Sequence, residues 1–187
     1  MNTVYFITGN KGKFLEAQKK LAPLKMELIQ KNLGYPEIQA VALEDVTRFG
    51  VEYIQNKINQ PFILEDAGLF IDALDGFPGV FSSYVYHTIG CKGILQLLKD
   101  YTGESRSAVF RSVFAYKEPG KNPRFFIGES RGIISVKEMG DHGFGYDPIF
   151  IPDGESRTFA QMETNEKNCF SHRGRSLEKF IDFFKNQ

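Results

Sequence analysis

Cysteine is scarce in this chain of 187 residues. The two thiols, Cys91 and Cys169, are far apart, and neither lies in a CxxC segment or at the His–Cys spacing of a zinc site. Two isolated cysteines in a chain of this length provide no disulfide framework. The composition therefore predicts neither a disulfide-stabilised domain nor a cysteine-bound zinc.

An excess of charge of either sign is also missing. Lysine and arginine together number 23, as do aspartate and glutamate, so the formal net charge is zero. Proteins that clamp duplex nucleic acid usually carry a basic excess. The balance argues against nucleic acid as a partner and leaves room for a small anion that is recognised locally.

Long hydrophobic runs are absent as well. The first apolar run, residues 4–7, has no basic segment or cleavage site beside it, so we expect no signal peptide. No run approaches the roughly 20 residues that a membrane helix requires, so we expect a cytoplasmic protein with no membrane contact. With 42% apolar residues, no repeat and no linker, the chain is expected to form a single domain over residues 1–187.

Hydrophobic spacing predicts an α/β fold with an antiparallel section. Apolar runs predict strands at 4–7, 25–31, 61–64, 107–116, 124–128, 132–136 and 149–151. Helical spacing predicts helices at 11–21, 42–58 and 90–99, and a final amphipathic helix that carries Leu177, Phe180, Ile181 and Phe184 on one face. Loops are expected at 33–40, 118–123 and 142–148, with 118–123 closing a hairpin.

The first strand runs into the first helix through the turn Thr8-Gly9-Asn10-Lys11-Gly12-Lys13. Unpaired N–H groups and the helix dipole make such a helix start suitable for phosphate, and Lys13 adds a positive charge. The turn is neither a Walker A loop nor GxGxxG. An ordinary glycine turn with an Asn cap explains the same residues, so both interpretations stay open.

Two carboxylates, Glu65 and Asp66, follow the third predicted strand. Open α/β sheets place ligands at the carboxyl ends of strands, and carboxylates beside phosphate suit Mg²⁺. Adjacent strand residues point to opposite faces, however, so the pair need not share one site, and a solvated strand end is the alternative. Glu37 matters only if its loop folds over the same cleft.

Two later segments could complete a nucleotide site. In His142-Gly143-Phe144-Gly145-Tyr146-Asp147-Pro148 the glycines allow close approach to a flat ligand, and an aromatic ring could stack on a base or fold into the core. Lys167, His172 and Arg173 cluster before the final helix, where Gly174 would allow a turn. These side chains suit phosphate, although a solvated helix entrance is the alternative.

Taken in order, these segments resemble one enzyme family. TGNKGK, YPE, EDAGL, GFPG, HGFGYDP and SHRG run from Thr8 to beyond Arg173 and resemble the inosine triphosphate pyrophosphatases, with YPEIQA most similar to archaeal members. The resemblance implies an elongated mixed β-sheet with flanking helices, two lobes around a central nucleotide-binding cleft, and usually a homodimer. It also implies Mg²⁺-dependent hydrolysis of ITP, dITP and XTP to the monophosphate and pyrophosphate.

The resemblance also assigns roles to individual residues. Asp66 is expected to activate water and to hold the metal together with Glu37. Glu65 is a further candidate ligand of the metal. Substrate contacts are expected from Thr8, Gly9, Asn10, Lys11, Gly12, Lys13, Ala67, Phe144, Gly145, Tyr146, Asp147, Lys167, His172 and Arg173.

Two positions depart from the family pattern. Ala67 stands where many members carry Ser or Thr, and Ser83 stands where some relatives carry a basic residue. Three rival functions remain: a Maf-type pyrophosphatase for other nucleotides, a nucleotide-binding regulator without turnover, and a metal nuclease. The acidic residues disfavour the regulator, and the zero net charge disfavours the nuclease.

Overall fold

The computed structural model describes residues 3–36 and 38–186. Within those residues the chain forms seven strands and six α-helices. The strands are β1 (Thr3–Ile7), β2 (Glu27–Lys31), β3 (Phe62–Ile71), β4 (Pro78–Gly79), β5 (Ser107–Lys117), β6 (Arg124–Ile134) and β7 (Phe150–Pro152). The helices are α1 (Lys11–Leu21), α2 (Leu43–Ile54), α3 (Ser82–Thr88), α4 (Gly90–Leu97), α5 (Thr164–Phe170) and α6 (His172–Lys185).

The strands form one mixed sheet in the order β2-β1-β3-β5-β6-β7, with β4 paired to β3. β1 is parallel to both β2 and β3, whereas β3, β5, β6 and β7 are each antiparallel to the next strand in the sheet. The α/β class and the mixed sheet are therefore confirmed. None of the helices in the described part of the chain has the length and apolar character to cross a membrane.

β3 is much longer than the sequence predicts. The apolar run suggested a strand at 61–64 that ends at the two carboxylates, but β3 continues to Ile71 because β5 pairs with it along its whole length. On its other side, β1 stops opposite Leu64 and β4 begins opposite Leu69. No described strand covers that edge at residues 65–68, so Glu65 and Asp66 lie in mid-strand beside a gap in the sheet.

Three apolar clusters surround this gap. Near the start of β3, Ile63 packs with α1 and α6 on one face of the sheet, and Leu64 packs with α2 on the other. Towards its far end, Leu69 and Ile71 join a third cluster with α4. The polar middle of β3 therefore lies between apolar regions that fix it from both ends.

Several predicted elements need correction. The two strands expected at 124–128 and 132–136 are one strand, β6, because the polar residues between them continue the pairing with β5. α3 and α5 were not predicted. Gly174 lies inside α6 and not in a turn. Its glycine serves close packing, because a Cβ there would meet the carbonyl oxygen of Asn168 in α5 at 2.0 Å.

Candidate active site

A cleft of about 490 Å³ opens at the gap in the sheet. Its walls come from the β1–α1 turn, the segment after β2, the middle of β3, α3, the glycine-rich loop and the start of α6. The predicted site residues that line it are Thr8, Gly9, Asn10, Lys13, Glu65, Asp66, Ala67, Phe144, Gly145, Tyr146, His172 and Arg173. Of the remaining predictions, Lys11, Gly12, Asp147 and Lys167 lie outside this lining, and Glu37 lies outside the described residues.

The β1–α1 turn has both features that its sequence left open. Asn10 caps α1 by accepting a hydrogen bond from the Lys13 amide at 3.0 Å, and the Thr8 hydroxyl accepts one from the Asn10 amide at 3.1 Å. The turn is thus a properly capped helix start that also forms a wall of the cleft. A phosphate placed there would meet the positive end of the helix dipole.

Lys13 is tied to the middle of β3. Its ammonium lies 2.9 Å from the Glu65 carboxylate and donates to the Glu65 carbonyl oxygen at 3.3 Å, while about a fifth of its side chain stays exposed. The charge is therefore held at the border of the cleft by a partner beneath it. Such a lysine is oriented before any ligand arrives.

Glu65 is wholly buried and its carboxylate is surrounded by donors. Besides Lys13, Arg173 lies 2.9 Å away and the Ser112 hydroxyl donates to it at 2.9 Å. Burial raises the pKa of Glu65, but the charges of Arg173 and Lys13 outweigh that effect and bring the pKa down to about 2. Glu65 is thus an ionised anchor for two cations of the cleft.

Asp66 occupies the opposite face of β3 from Glu65, since side chains alternate along a strand. It is only partly buried and lines the cleft. No group of three or more histidine, cysteine, aspartate or glutamate side chains suited to a metal occurs in the described ranges 3–36 and 38–186. The carboxylate of Asp66 at the cleft is itself an oxygen ligand of the kind that Mg²⁺ takes together with phosphate oxygens and water.

The backbone of β3 also faces the gap. The Glu65 carbonyl accepts from Lys13, and the Leu69 amide donates to the Ser82 hydroxyl at 2.8 Å, so both point away from β5. Backbone groups of alternate residues share a direction, which aims the amide and carbonyl of Ala67 the same way. Ala67 therefore offers the cleft its peptide groups although it has no hydroxyl.

Six side chains in the cleft wall and behind it form a chain of alternating charge. It runs Lys13–Glu65–Arg173–Glu16–Lys167–Asp147, with Arg173 to Glu16 at 2.5 Å, Lys167 to Glu16 at 2.6 Å and Lys167 to Asp147 at 2.5 Å. All except Lys13 are buried. Removing one member of such a buried pair is costly, because it leaves the other charge uncompensated.

Glu16 is the member of this chain that sequence reasoning missed. It lies on the buried side of α1 with Ala17 and Leu21. An acid on the apolar face of a helix was the available signal, because a buried carboxylate almost always has a partner. Burial raises the pKa of Glu16, but the charges of Arg173 and Lys167 lower that pKa by more than burial raises it, so the carboxyl stays ionised.

His172 and Arg173, the first two residues of α6, carry the far wall. His172 stacks on Phe110 with ring centres 4.6 Å apart, and burial followed by the Arg173 charge holds the pKa of His172 well below 6.5. The imidazole is therefore neutral at neutral pH. Its Nδ1 and the Nε of Arg173 are buried and have no hydrogen-bond partner among the described residues.

The glycine-rich loop divides its two aromatic rings between the cleft and the core. Tyr146 is buried, donates to the Ser82 carbonyl at 3.1 Å and packs edge-on against Tyr86. Phe144 instead lies against the start of α1, where a Cβ on Gly12 would meet its ring at 2.4 Å. Tyr146 therefore folds into the core, which was one of the two alternatives, whereas stacking of Phe144 on a base stays a prediction.

α3 supplies a wall that the sequence did not indicate. Ser83, Tyr86 and His87 line the cleft from this helix. Because α3 follows a turn rich in glycine and has only seven residues, no helical periodicity was long enough to predict it.

Known proteins resemble this chain in sequence and in fold. The sequence model of the Ham1 family matches residues 4–183. A relative from Pyrococcus horikoshii, described as dITP/XTP pyrophosphatase, is 49% identical over 182 residues, which cover 97% of this chain and 96% of the relative. A protein of the same description from Methanosarcina acetivorans is 42% identical over the full length of both chains.

Solved structures agree on the fold. A HAM1 protein from Coxiella burnetii superposes over the whole of both chains with a TM-score of 0.83 and 29% identity. A nucleoside-triphosphatase described as dITP/XTP pyrophosphatase from Mycobacterium abscessus gives a TM-score of 0.71 at 29% identity, covering 96% of this chain and 98% of that one.

Proposed function

This chain belongs to the Ham1 family, and from that premise we propose that it hydrolyses deaminated purine nucleoside triphosphates to the monophosphate and pyrophosphate. The substrates are ITP, dITP and XTP. Full-length relatives described as dITP/XTP pyrophosphatase support this activity. The observation that carries it is a single cleft that joins a capped helix start, the carboxylate of Asp66 and the wall formed by Phe144, His172 and Arg173.

The triphosphate lies at the β1–α1 turn. The helix start and the Lys13 ammonium provide positive potential there, and phosphoryl transfer depends chiefly on such neutralisation of charge. Because Lys13 is already held by Glu65, little reorganisation accompanies binding. The Ala67 amide on the edge of β3 is a further donor for a phosphate oxygen.

Asp66 acts on the water molecule. Water attacks the α-phosphorus, its proton passes to the Asp66 carboxylate, and the bond from the α-phosphorus to the bridging oxygen breaks to release pyrophosphate. Asp66 and Glu37 would hold Mg²⁺, which supplies Lewis-acid neutralisation of the phosphate charge. Glu65 serves the reaction by holding Lys13 and Arg173, since its own oxygens already have donors.

The base lies against the wall of Phe144, His172 and Arg173. Inosine and xanthosine carry a 6-oxo group where adenosine carries an amino group. A donor aimed at that oxygen is satisfied by ITP but faces another donor in ATP, and an unpaired buried polar group costs about 1–3 kcal/mol. Arg173 is that donor, with neutral His172 beside it.

One incubation tests the activity. We expect the protein with Mg²⁺ to convert ITP and XTP to monophosphate and pyrophosphate, with kcat/KM at least about tenfold above that for ATP or GTP. Chromatography of the products separates this from release of orthophosphate and a diphosphate, which would contradict the reaction. Faster turnover of dTTP would favour a Maf-type activity, and binding without turnover would favour a regulator.

The same proposal extends to assembly and location. We expect a homodimer that acts on the cytoplasmic nucleotide pool. Phe81 and Tyr84 are exposed large side chains on and beside α3, whereas Tyr86 packs against Tyr146 and is a poorer interface candidate. Light scattering should give twice the chain mass of 21.3 kDa, and a monomer would contradict the dimer without affecting the activity.

A further inference from the structure

Glu16 is a buried acid beside the cleft but is not among the described residues that line it. It is 4% exposed, and its carboxylate is held by Lys167 and by Arg173, which lines the cleft. The carboxylate of Glu16 therefore faces its two cations and not the open cleft. Whatever Glu16 does for the reaction passes through its partners.

Its partners come from two helices at the other end of the chain. One carboxylate oxygen accepts from Lys167 of α5 at 2.6 Å, and the other accepts from Arg173 of α6 at 2.5 Å. The Glu16 carbonyl also accepts from the Asn168 amide at 3.1 Å. Glu16 thus joins α1 to α5 and to α6, and α6 carries His172 and Arg173 of the base-side wall.

The first partner, Arg173, is held between two acids. One terminal nitrogen of its guanidinium faces Glu16, and the other faces Glu65. Because a guanidinium is planar, two carboxylates at its two terminal nitrogens fix the direction of the plane. Without Glu16, only Glu65 would remain to orient it.

The second partner, Lys167, leads to the glycine-rich loop. Its ammonium reaches Asp147 at 2.5 Å, and the same Asp147 oxygen accepts from the Phe144 amide at 2.8 Å. The ammonium also lies 4.9 Å from the centre of the Phe144 ring. The position of Phe144 is therefore linked to Glu16 through one lysine and one aspartate.

The phosphate side of the cleft does not depend on Glu16 in this way. Asn10 and Thr8 cap the β1–α1 turn through bonds inside the turn, and Lys13 is held by Glu65. The Glu16 carboxylate makes none of these contacts itself and is linked to Glu65 only through Arg173. The two halves of the site therefore differ in what Glu16 contributes.

We propose that Glu16 is a positioning residue for nucleobase discrimination, which acts by orienting Arg173 and, through Lys167, Phe144. The inference rests on the proposed function, because it specifies how that site selects a deaminated purine. Glu16 needs no contact with the nucleotide for this role. It sets the direction of the donor that reads the 6-oxo group.

The test separates base binding from phosphate binding. Glu16→Gln keeps the shape but turns an amide donor towards one of the two cations. We expect its Kd for inosine monophosphate, measured by calorimetry with Mg²⁺, to rise roughly tenfold or more, because a small misplacement of oriented groups is costly. The Kd for pyrophosphate should stay within about twofold of wild type, and the kcat/KM ratio of ITP to ATP should fall by about fivefold or more.

Glu178→Gln is the matched control. It removes an ion pair between Lys20 and Glu178, which also joins α1 to α6 but is more exposed and is not part of the cleft lining. Exposed pairs contribute little to stability, so both Kd values and the ratio should match wild type. If Glu16→Gln weakens both ligands equally, its role is structural and the proposal is wrong.

Glu16→Asp covers the case in which Glu16→Gln does not fold. Asp keeps the charge but is one methylene too short to reach both cations, so the fold should persist while the ITP to ATP ratio still falls by about threefold or more. A wild-type ratio in folded Glu16→Asp would overturn the proposal. A wild-type enzyme that does not itself discriminate would instead overturn the proposed function, so the two failures are distinguishable.

Discussion

Glu65 and Asp66 are neighbours in the sequence, yet β3 turns them to opposite faces and gives them different surroundings. Glu65 is enclosed by Lys13, Arg173 and Ser112, while Asp66 lines the cleft on the other side of the strand. Replacement of each acid by its amide should therefore have different effects.

For Asp66→Asn we expect a folded protein that has lost turnover. Loss of a general base typically costs about 10²–10⁴-fold, and a disturbed metal contact would add to that loss. Initial rates on ITP measure the effect, and circular dichroism checks the fold. Activity within about threefold of wild type would remove Asp66 from the catalytic role.

For Glu65→Gln we expect a loss of stability as well as of activity. The change leaves the fully buried Arg173 with one carboxylate instead of two, and broken buried pairs cost about 3–5 kcal/mol. Urea unfolding measures the change in free energy. Glu129→Gln, which removes the exposed pair with Arg111, should cost about 1 kcal/mol or less. Equal losses in the two variants would show that the Glu65 pair adds no more to stability than a surface pair.

At the scale of single elements, close helix packing around α5 and α6 depends on Gly174. We expect Gly174→Ala to destabilise the protein by about 1–3 kcal/mol, as overpacking does, because a Cβ would meet the Asn168 carbonyl oxygen and backbone cannot rotate away. Thermal unfolding measures the loss. A gain in stability, as helix propensity alone would give, would contradict this packing.

A helix or strand could be predicted correctly when the residues that determine it lie close together in the sequence. α1 was predicted at its observed bounds because its cap, Asn10, and its apolar spacing are both local. β3 was predicted too short because Glu65 and Asp66 interrupt its apolar run, whereas the pairing with β5 that continues it involves residues at least 37 positions away. α5 was missed because a seven-residue helix shows too little periodicity.

The candidate site, too, was predicted where its residues lie in local motifs and missed where its contacts join distant segments. The motifs indicated which segments meet, and Thr8, Asp66, Phe144 and Arg173 do line one cleft. The sequence did not indicate that Lys167 and Asp147 would form buried ion pairs. Glu16 was missed because its partners lie 151 and 157 residues away, beyond the reach of any spacing rule.

At the scale of the whole molecule, buried charge makes the fold sensitive to acid. The pKa of Glu65 is lowered from 4.5 to about 2, so its contribution to stability is present above pH 4.5 and is lost as the pH falls towards 2. The pKa of His172 is also lowered, so protonation below pH 6.5 favours the unfolded chain. Asp147 acts in the opposite direction, because burial raises its pKa.

We therefore expect the free energy of unfolding to decrease as the pH is lowered from 7 to about 4, by the linkage between protonation and folding. Urea titrations at several pH values measure it. In His172→Asn the decrease between pH 7 and about 5 should be smaller, because the residue that resists protonation is gone. Stability that is flat over this range in the wild type would contradict the buried, neutral state of His172.

The span of the Glu16 contacts has a consequence for the order of folding. β5 and β6 form a hairpin whose strands are adjacent in the chain, whereas Glu16 must wait for helices more than 150 residues away. Contacts between distant segments bear the entropy of closing a long loop, so they form late. The chain can thus acquire most of its sheet before it can select a nucleotide, and on refolding from urea the return of ITP hydrolysis should lag behind the return of the β-sheet circular dichroism signal.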